Sequence, residues 1–477
     1  MAVVPHAPRR PARSLPPVAL AGVARFVLGP GALVGAAGLL HRGDPTIAAP
    51  AVDWRQARVD VVVPVCRDQA TIVVCLAGLH AQTLRPHRIV LVEDCEGGRD
   101  GTIVLAREFA SANGLRLDVI EQRGAGGRAA TMRAQAAALE GDVMVVLDAH
   151  VVLESSDYLE RCVRELYQGS GVASACGVLL PLRDSDRRRW AMSDAFRRWL
   201  GGDPHHDPLA ARGVVQRIAR WFADGYRECA ALVQQRFVQR GQMRAFGSIC
   251  HPVGVVAYRR RYLQALFERH ADSDAAAEGG HPATPGSEDV LIGFALAHQG
   301  FRAVQVPDVI ARAQAAPAIA LGAALRARYA QTFLDTGTRF APLLRPPLLG
   351  PGRWWRHRAR VERRAAEPYR QAFGGERTEV DGRPVGWAFA CTLLDKIAVP
   401  ALVLALMLAG LWQLLAWTLA AELAAWLAVL AVVAPGRRSH AVATGLAVAP
   451  LRYLDMAADA VGVTRFLVRR LHAVAMR

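Results

Sequence analysis

The chain has 477 residues, a formal net charge of +16 at pH 7 and a hydrophobic fraction of 52%. This length allows one large domain or two ordinary ones, and the hydrophobic fraction exceeds that of a typical soluble protein. The sequence has no zinc-finger spacing, no basic zipper and no aromatic–basic alternation of a nucleic-acid-binding sheet. The positive charge therefore favours phosphates, nucleotides and acidic lipid headgroups as partners, and no nucleic acid.

Residues 1–54 combine a basic arm with an apolar segment. Arginines and prolines alternate in residues 1–14, and the apolar stretch Leu15–Leu40 is interrupted by Arg25 and by Gly29-Pro30-Gly31. An internal arginine and a proline pair are untypical of a signal peptide. We predict an interfacial helix or a broken membrane segment here.

A regular alternation of strands and helices begins at Val59. Strands alternating with helices of ten or more residues form right-handed βαβ units and a parallel sheet. The fold class predicted for residues 55–345 is therefore α/β, with a Rossmann-like, mostly parallel sheet and flanking helices. The predicted strands are Val59–Val65, Arg88–Asp94, Leu115–Ile120 and Val143–Asp148, and the helices between them are Gln69–Gln82, Thr102–Asn113 and Gly127–Leu139.

Acidic residues lie at or just after the ends of three of these strands, at Asp68, Asp94 and Asp148, and His150 follows the last strand. Ligands of open α/β sheets bind outside the carboxyl ends of the strands, so these side chains are expected at one edge. A carboxylate and an imidazole one residue apart suit Mn²⁺ or a similar ion, with substrate phosphates as further ligands. A lone Asp-x-His is more often an ordinary strand-end turn, and the neighbouring acidic loops favour the metal site.

The stretch from Val59 to about Ser156 resembles the family-2 glycosyltransferases, which are inverting enzymes of the GT-A fold. The resemblance lies in four short motifs. Pro64 to Asp68 is similar to a Pro-x-Tyr-Asn-Glu turn, and Glu93-Asp94 through Thr102 is similar to an Asp-Asp-Gly-Ser-x-Asp-Gly-Thr run. Gly127-Arg128 through Arg133 is similar to a Gly-Lys-x-x-Ala-x-Asn segment, and Asp148-Ala149-His150 is similar to the Asp-x-Asp metal motif. An Asp-x-His version also occurs in the related polypeptide GalNAc-transferases.

This resemblance implies a role for each matched residue. Asp148 and His150 would hold a divalent cation, Mn²⁺ or Mg²⁺, and Asp94 would contact the nucleotide base. The implied donor is a nucleotide sugar, UDP-linked by default. The residues implied to bind it are Pro64, Asp68, Asp94, Arg128 and Asp148.

An arginine-rich helical insertion, about 183–245, follows a predicted strand at Val172–Leu180. Its apolar residues recur at helical spacing, at Val214, Val215, Ile218, Trp221 and Phe222. The pattern favours an amphipathic helix packed on the sheet or on a bilayer surface over a dedicated binding site. If its arginines bind a ligand, that ligand is a phosphate-bearing acceptor or lipid headgroups.

Ser287-Glu288-Asp289 begins a second informative stretch, which continues into an apolar helix and a strand at Gly300–Pro307. A serine cap followed by two acids is a common helix start, and the helix dipole is expected to keep the pKa of Asp289 low. The family resemblance implies more: Asp289 is the general base that deprotonates the acceptor hydroxyl, with Glu288 beside it.

Two further patterns give candidate acceptor or phosphate ligands. His251 lies in the stretch Phe246–Tyr258 before Arg259-Arg260, although a structural histidine is the commoner interpretation. Leu325–Tyr329 resembles the Gln-x-x-Arg-Trp motif of membrane-bound members and keeps Arg328 and an aromatic residue, Tyr329. Because the Gln is missing, processive polysaccharide synthesis is not predicted.

The C-terminal part predicts membrane attachment. Residues 346–392 are interpreted as a basic linker, 393–435 as two transmembrane helices that turn near Gly410–Gln413, and 436–477 as an amphipathic tail on the bilayer. Basic residues flank the apolar stretch, at Arg377 and Arg383 before it and Arg437-Arg438 after it. The positive-inside rule then puts both ends in the cytoplasm.

The eight cysteines are scattered and form no CxxC pair. This pattern predicts reduced, buried and unreactive thiols, typical of a reducing compartment.

Together these patterns predict a glycosyltransferase anchored in the cell membrane, with its catalytic domain in the cytoplasm. It would transfer sugar to a lipid-linked or other membrane-associated hydroxyl acceptor during synthesis of cell-envelope polysaccharide or glycolipid. Two alternatives stay open. A nucleotidyltransferase uses a similar sheet, but the helix at Glu288-Asp289 after a long insertion argues against it. A membrane adaptor that has lost catalysis is favoured by the altered motifs.

Overall fold

A computed structural model describes the chain in ten segments: residues 29–40, 53–93, 100–121, 127–168, 171–201, 213–277, 287–314, 319–344, 385–434 and 437–475. The strands are β1 Val59–Val65, β2 Arg88–Glu93, β3 Leu117–Glu121, β4 Val143–Val146, β5 Val151–Leu153, β6 Val172–Pro181, β7 Val256–Arg259 and β8 Arg302–Ala313. They form one eight-stranded sheet in the order β3-β2-β1-β4-β7-β6-β8-β5.

Helices cover both faces and one end of this sheet. They are α1 Pro30–Leu40, α2 Ile72–His80, α3 Thr102–Asn113, α4 Gly127–Ala138, α5 Tyr158–Gln168, α6 Asp184–Ala191, α7 Asp194–Leu200, α8 Val214–Ala231, α9 Arg240–Phe246, α10 Arg260–Ala277, α11 Ser287–His298, α12 Ile319–Arg339, α13 Val385–Leu408, α14 Trp412–Val433 and α15 Arg438–Ala475. A π-helical turn, Leu232–Gln239, joins α8 to α9.

The predicted α/β class with flanking helices is confirmed in the sheet. β1 pairs in parallel with β2 and β4, and β2 in parallel with β3. The central strands β1 and β4 are rich in valine and are buried on both faces, as is typical of a parallel sheet. Beyond β4 the sheet is mixed, because β7 runs antiparallel to β4 and β6, and β5 antiparallel to β8. The βα alternation did not predict these antiparallel strands.

The strand that leads to the predicted metal motif ends two residues earlier than expected. β4 stops at Val146, and the Leu147 amide makes a last bond to the Val62 carbonyl at 3.0 Å. The Val151 amide then donates to the Asp148 carbonyl at 2.9 Å, which closes a tight turn. Asp148 and His150 therefore lie in the turn between β4 and β5.

Two apolar cores cover the two faces of the sheet. One includes an edge-to-face aromatic cluster of Phe109, Phe196 and Trp199, contributed by α3 and α7. The other includes Phe294, Phe333 and Phe389, from α11, α12 and α13. Because Phe389 belongs to this second core, the start of α13 packs against the part of the chain that contains the sheet, within the stretch predicted as linker.

Two helices, α13 and α14, are long and apolar enough to cross a membrane, with mean hydropathies of 2.0 and 1.9 over Gly386–Leu408 and Trp412–Val433. Length and composition alone are weak evidence, because core helices of soluble proteins share them. Only 35% and 22% of their most apolar windows are buried within the protein.

The predicted C-terminal tail forms a longer helix than expected. α15 begins at Arg438, continues through Pro450 and packs against α8, α12, α13 and α14. Its buried face includes Arg452, Asp455 and Asp459. The interpretation as a tail lying on the bilayer is therefore wrong for this face, which is enclosed by other helices.

Helix α1 is the described part of the N-terminal apolar segment, and it packs against the rest of the protein. The Gly31 amide donates to Asp395 Oδ1 at 3.0 Å. At Gly38 an added Cβ would lie 2.5 Å from the Gly241 Cα, so the two backbones meet where only glycine fits. Residues 1–28 lie outside the described segments.

Six cysteines are free and buried, as predicted: Cys75, Cys162, Cys176, Cys229, Cys250 and Cys391. Cys66 is disulfide-bonded, and its partner lies outside the described residues. The prediction of reduced thiols is therefore wrong at Cys66, because pairing depends on distance in space and cannot be deduced from scattered spacings.

Candidate active site

One guanidinium joins the two predicted functional stretches. Arg128, in the first turn of α4, places Nε 3.5 Å from Asp148 Oδ1 and NH1 3.3 Å from Asp289 Oδ2. The three side chains are largely buried. The turn after β4 and the start of α11 therefore meet at one point.

His150 lies in the same turn with its ring buried. Burial, reinforced by the positive charge of Arg128, lowers the pKa of His150 to about 4 although Asp148 opposes the shift. Nε2 lies 3.7 Å from Asp148 Oδ2 and makes no hydrogen bond to any described residue. At neutral pH this is an uncharged imidazole with an unused nitrogen, the form in which histidine binds metals.

Asp68 extends the acidic cluster at the end of β1. Burial raises its pKa to about 6, the Cys66 amide opposes this by donating to Oδ2 at 2.8 Å, and Asp148 and Asp100 raise it further. The preceding Arg67 has φ 59°, in the left-handed region. Asn tolerates that region better than Arg, and the similar family turn has Asn at this position.

The other two predicted nucleotide ligands are placed less informatively. Pro64 is half-buried within β1, and Asp94 lies outside the described residues.

Asp289 differs from its sequence-based expectation. Burial raises its pKa to about 7; Arg128 opposes this, while the charges of Asp148 and Glu288 add to it. The predicted low pKa is therefore wrong, because a helix dipole contributes only about 0.3–1 kcal/mol and desolvation of a buried carboxylate costs more. Asp289 Oδ1 makes no hydrogen bond to a described residue, and Glu288 is buried beside it.

The donor set fits a cation that takes most of its ligands from a substrate. Within the described segments no group of three or more His, Cys, Asp or Glu side chains is arranged to hold a metal. Asp148 and His150 provide two donors, one of them an unused buried nitrogen. This arrangement suits Mn²⁺ or Mg²⁺ bound mainly by phosphate and water oxygens, and does not form a closed protein cage.

The candidate acceptor residues do not form one site. His251 is buried with Nδ1 3.1 Å from the Pro252 carbonyl and Nε2 2.9 Å from the Tyr329 hydroxyl. Both ring nitrogens therefore have protein partners, as in a structural histidine. Tyr329 is buried in the same aromatic core, whereas its neighbour Arg328 is exposed. A common phosphate-binding role for these three residues finds no support in this geometry.

Sequence reasoning gave no role to Tyr258, which is buried near the site. It is fully buried on β7 opposite Met144 of β4, close enough to Asp289 and Arg128 for their charges to influence its pKa. Its hydroxyl has no hydrogen-bond partner in the described segments. The only sequence signal was its position before Arg259-Arg260, and burial in a strand favours a core role.

The mixed sheet, with a charged cluster beyond the carboxyl ends of β1 and β4, agrees with the predicted GT-A fold class. Residues 60–220 match the family model described as glycosyl transferase family 2. The match covers the first part of the sheet and the helices that follow it, about a third of the chain. None of the curated protein sequences compared with the chain matches it significantly.

Solved structures of glycosyltransferases are similar at low identity. A mannosyltransferase from Pyrobaculum calidifontis in complex with GDP-Man and Mn²⁺ has 17% identity and a TM-score of 0.46, covering 92% of this chain and 96% of that one. Glucosyl-3-phosphoglycerate synthase from Mycobacterium tuberculosis with phosphoglyceric acid has 16% identity and a TM-score of 0.34, covering 61% and 87%. These values assign no substrate or metal to this chain.

Proposed function

We propose that this protein is a membrane-attached, inverting glycosyltransferase that uses a nucleotide sugar, by default UDP-linked, and a hydroxyl acceptor held at the membrane. The observation that carries the proposal is the meeting of Asp148 and Asp289 at the Arg128 guanidinium. A donor-side carboxylate and a candidate base thus lie on either side of one cation.

The base is suited to the acceptor step. With a pKa of about 7, Asp289 is largely ionised just above neutrality and is a stronger base than an ordinary aspartate. It would accept the hydroxyl proton while the acceptor oxygen bonds to the anomeric carbon and the bond from that carbon to the diphosphate breaks. One displacement of this kind inverts the anomeric centre and needs no second carboxylate.

The leaving diphosphate needs positive charge. Arg128 provides one fixed cation near Asp148 and Asp289. A divalent ion held by Asp148 and His150, when bound, would supply the remaining charge stabilisation. Pro64, Asp68 and Asp94 are proposed to contact the nucleotide.

Membrane attachment is proposed from the surfaces of α13 and α14. Large apolar side chains are exposed along them, among them Leu408, Trp412 and Trp417. A core helix of a soluble protein buries such residues, whereas spanning helices present them to lipid. A lipid-linked or other membrane-associated acceptor would then reach the site from the bilayer.

The intact site favours an enzyme over a membrane adaptor, because the altered motifs still bring Arg128, Asp148 and Asp289 together. The family match favours glycosyl over nucleotidyl transfer.

The test is hydrolysis of a panel of UDP- and GDP-sugars by the full chain in lipid nanodiscs with Mn²⁺. We expect the wild-type chain to hydrolyse one of these nucleotide sugars. The Asp289→Asn variant should leave the same nucleotide sugar intact. A panel with no turnover and no Mn²⁺-dependent nucleotide binding would refute the proposal.

Topology is a separate prediction. Tags near Arg377 and at Arg477 should report the same compartment, the cytoplasm, because basic residues flank both ends of the hairpin. A disulfide such as that of Cys66 is more typical of oxidising compartments, so the experiment also weighs the two signals. Tags on opposite sides would exclude a two-span hairpin.

A further inference from the structure

The first two turns of α8 project from the protein with an apolar side. Val214, Val215, Ile218 and Trp221 are 61%, 80%, 53% and 48% exposed. Their spacing places them on one side of the helix, which we call the α8 apolar face. An open groove of about 320 Å³ is lined by three of these residues and by Arg217.

The second half of α8 is fixed to the helices of the proposed membrane unit. An added Cβ at Gly225 would lie 2.9 Å from Thr444 Cγ2 of α15, so the two helices are in close contact. α15 in turn contacts α14, where the Tyr453 hydroxyl donates to the Leu419 carbonyl at 3.4 Å. The α8 apolar face therefore belongs to the same helical assembly as the candidate spans.

Arg217 is the cation of this groove. The other arginines of α8 have carboxylate partners: Arg220 lies 2.9 Å from Asp184, and Arg227 lies 3.5 Å from Asp224. Arg217 is exposed and forms no ion pair within the described segments. The first turn of α8 contains no acidic residue.

We propose that the α8 apolar face inserts into the bilayer interface and that Arg217 binds the phosphate of an anionic lipid headgroup. Apolar and aromatic side chains beside an arginine match the chemistry of that interface, where a helix lies with its apolar side among the acyl chains. Four side chains offer too little area for a stable contact with a second copy, which needs about 800 Å² per partner. The inference rests on the membrane attachment proposed above.

The experiment places an environment-sensitive dye on Val215→Cys of the full chain in proteoliposomes. Gln216→Cys is the matched control, since it is the adjacent exposed position on the opposite side of the helix. The six free native cysteines in the described segments are buried, which favours selective labelling, and the unsubstituted chain measures the background. Brominated lipids then report contact with acyl chains, and iodide reports contact with water.

We expect brominated lipids to quench the dye at position 215 at least about twofold more than at position 216. Replacing a quarter of the phosphatidylcholine by phosphatidylglycerol should increase quenching at 215, and adding Arg217→Gln should abolish that increase. Equal quenching at the two positions would overturn the insertion. An increase that survives Arg217→Gln would overturn the headgroup contact.

Two further outcomes distinguish the alternatives. Shielding of position 215 from iodide without quenching by brominated lipids would mean that protein covers the face, either a second copy or another segment, and would overturn the proposal. Co-flotation with vesicles after alkaline extraction is measured separately. Its loss would refute membrane attachment itself, whereas flotation with a water-exposed dye at 215 would refute only the role of α8.

Discussion

The molecule contains two buried clusters of charge that are built differently. In the candidate active site, Asp148 and Asp289 share one guanidinium, that of Arg128, and Glu288 is buried beside Asp289. His150 adds no positive charge at neutral pH, because its pKa is about 4. Two carboxylates, Asp148 and Asp289, thus face a single guanidinium, and a buried excess of negative charge is unfavourable unless something neutralises it.

The second cluster lies along one face of α15. Arg452, Asp455 and Asp459 follow each other three and four residues apart and meet oppositely charged partners on three different helices. Arg452 pairs with Glu422 of α14, Asp455 lies 2.7 Å from Arg326 of α12, and Asp459 lies 3.9 Å from Lys396 of α13, the only lysine of the chain. Each acid here faces its own base.

We interpret the cluster at Arg128 as a site for ligands and the cluster on α15 as a set of contacts that fixes the packing of the helices. We infer that the balanced set of buried pairs specifies which helices meet and in which register, because such pairs add little net stability. An unbalanced set costs stability and is suited to a cation or a phosphate ligand that restores the balance. The comparison gives four experiments, which begin with the largest expected effect.

Removing the base should have the largest effect. Asp289→Asn keeps the shape of the side chain but not its basicity, so we expect transfer to fall by about 10²–10⁴. Donor binding, measured by calorimetry, should be retained. Glu288→Gln is the matched control on the adjacent buried acid, and it should lose less activity. Transfer by Asp289→Asn at near the wild-type rate would exclude this residue as the base.

Breaking an ion pair on α15 should destabilise the packing of this helix against its neighbours. Asp455→Asn leaves Arg326 buried without its carboxylate, and such losses cost about 3–5 kcal/mol. Arg326→Met combined with Asp455→Leu should recover most of the loss, because an apolar pair needs no compensation. Chemical unfolding in detergent measures both. A single variant as stable as the wild type would show that the balanced pairs do not organise these helices.

The metal ligand should have an intermediate effect. His150→Ala removes the unused ring nitrogen, and we expect Mn²⁺-dependent nucleotide binding to weaken about 10-fold or more while binding without metal stays the same. Calorimetric titration of UDP with and without Mn²⁺ measures the two affinities. If Mn²⁺ changes the affinity equally in both proteins, His150 is not a ligand.

Part of this contrast between the two charge clusters could be predicted from the sequence, and part of it could not. Alternating apolar runs and polar strand ends predicted that Asp148 and His150 would lie at one sheet edge, because strand geometry is local. The sequence could not predict the raised pKa of Asp289, because burial depends on α11 packing against distant elements. The pairs of α15 were also missed, since their partners are distant in the chain. An amphipathic pattern shows which face is polar and does not identify what covers it.

The smallest predicted effect concerns pH, and it joins activity to stability at a single carboxyl. The pKa of Asp289 is raised from 3.8 to about 7, so its ionised fraction, and with it kcat/KM, should rise with pH around a midpoint near 7. The free energy of unfolding changes with pH in the opposite direction.

A folded state that holds a proton more tightly than the unfolded state is favoured most below pH 3.8, and this contribution is lost as pH rises towards 7. Asp289→Asn cannot ionise, so its unfolding free energy should depend less on pH over this range. Above pH 7 it should exceed that of the wild type by about 1 kcal/mol, less than the full shift implies because Arg128 loses a partner. Denaturant unfolding of both proteins at pH 5 and pH 8 measures the difference. Equal pH dependence in the two proteins would mean that the charge of Asp289 is already balanced, as the charges on α15 are, and the contrast between the two clusters would then disappear.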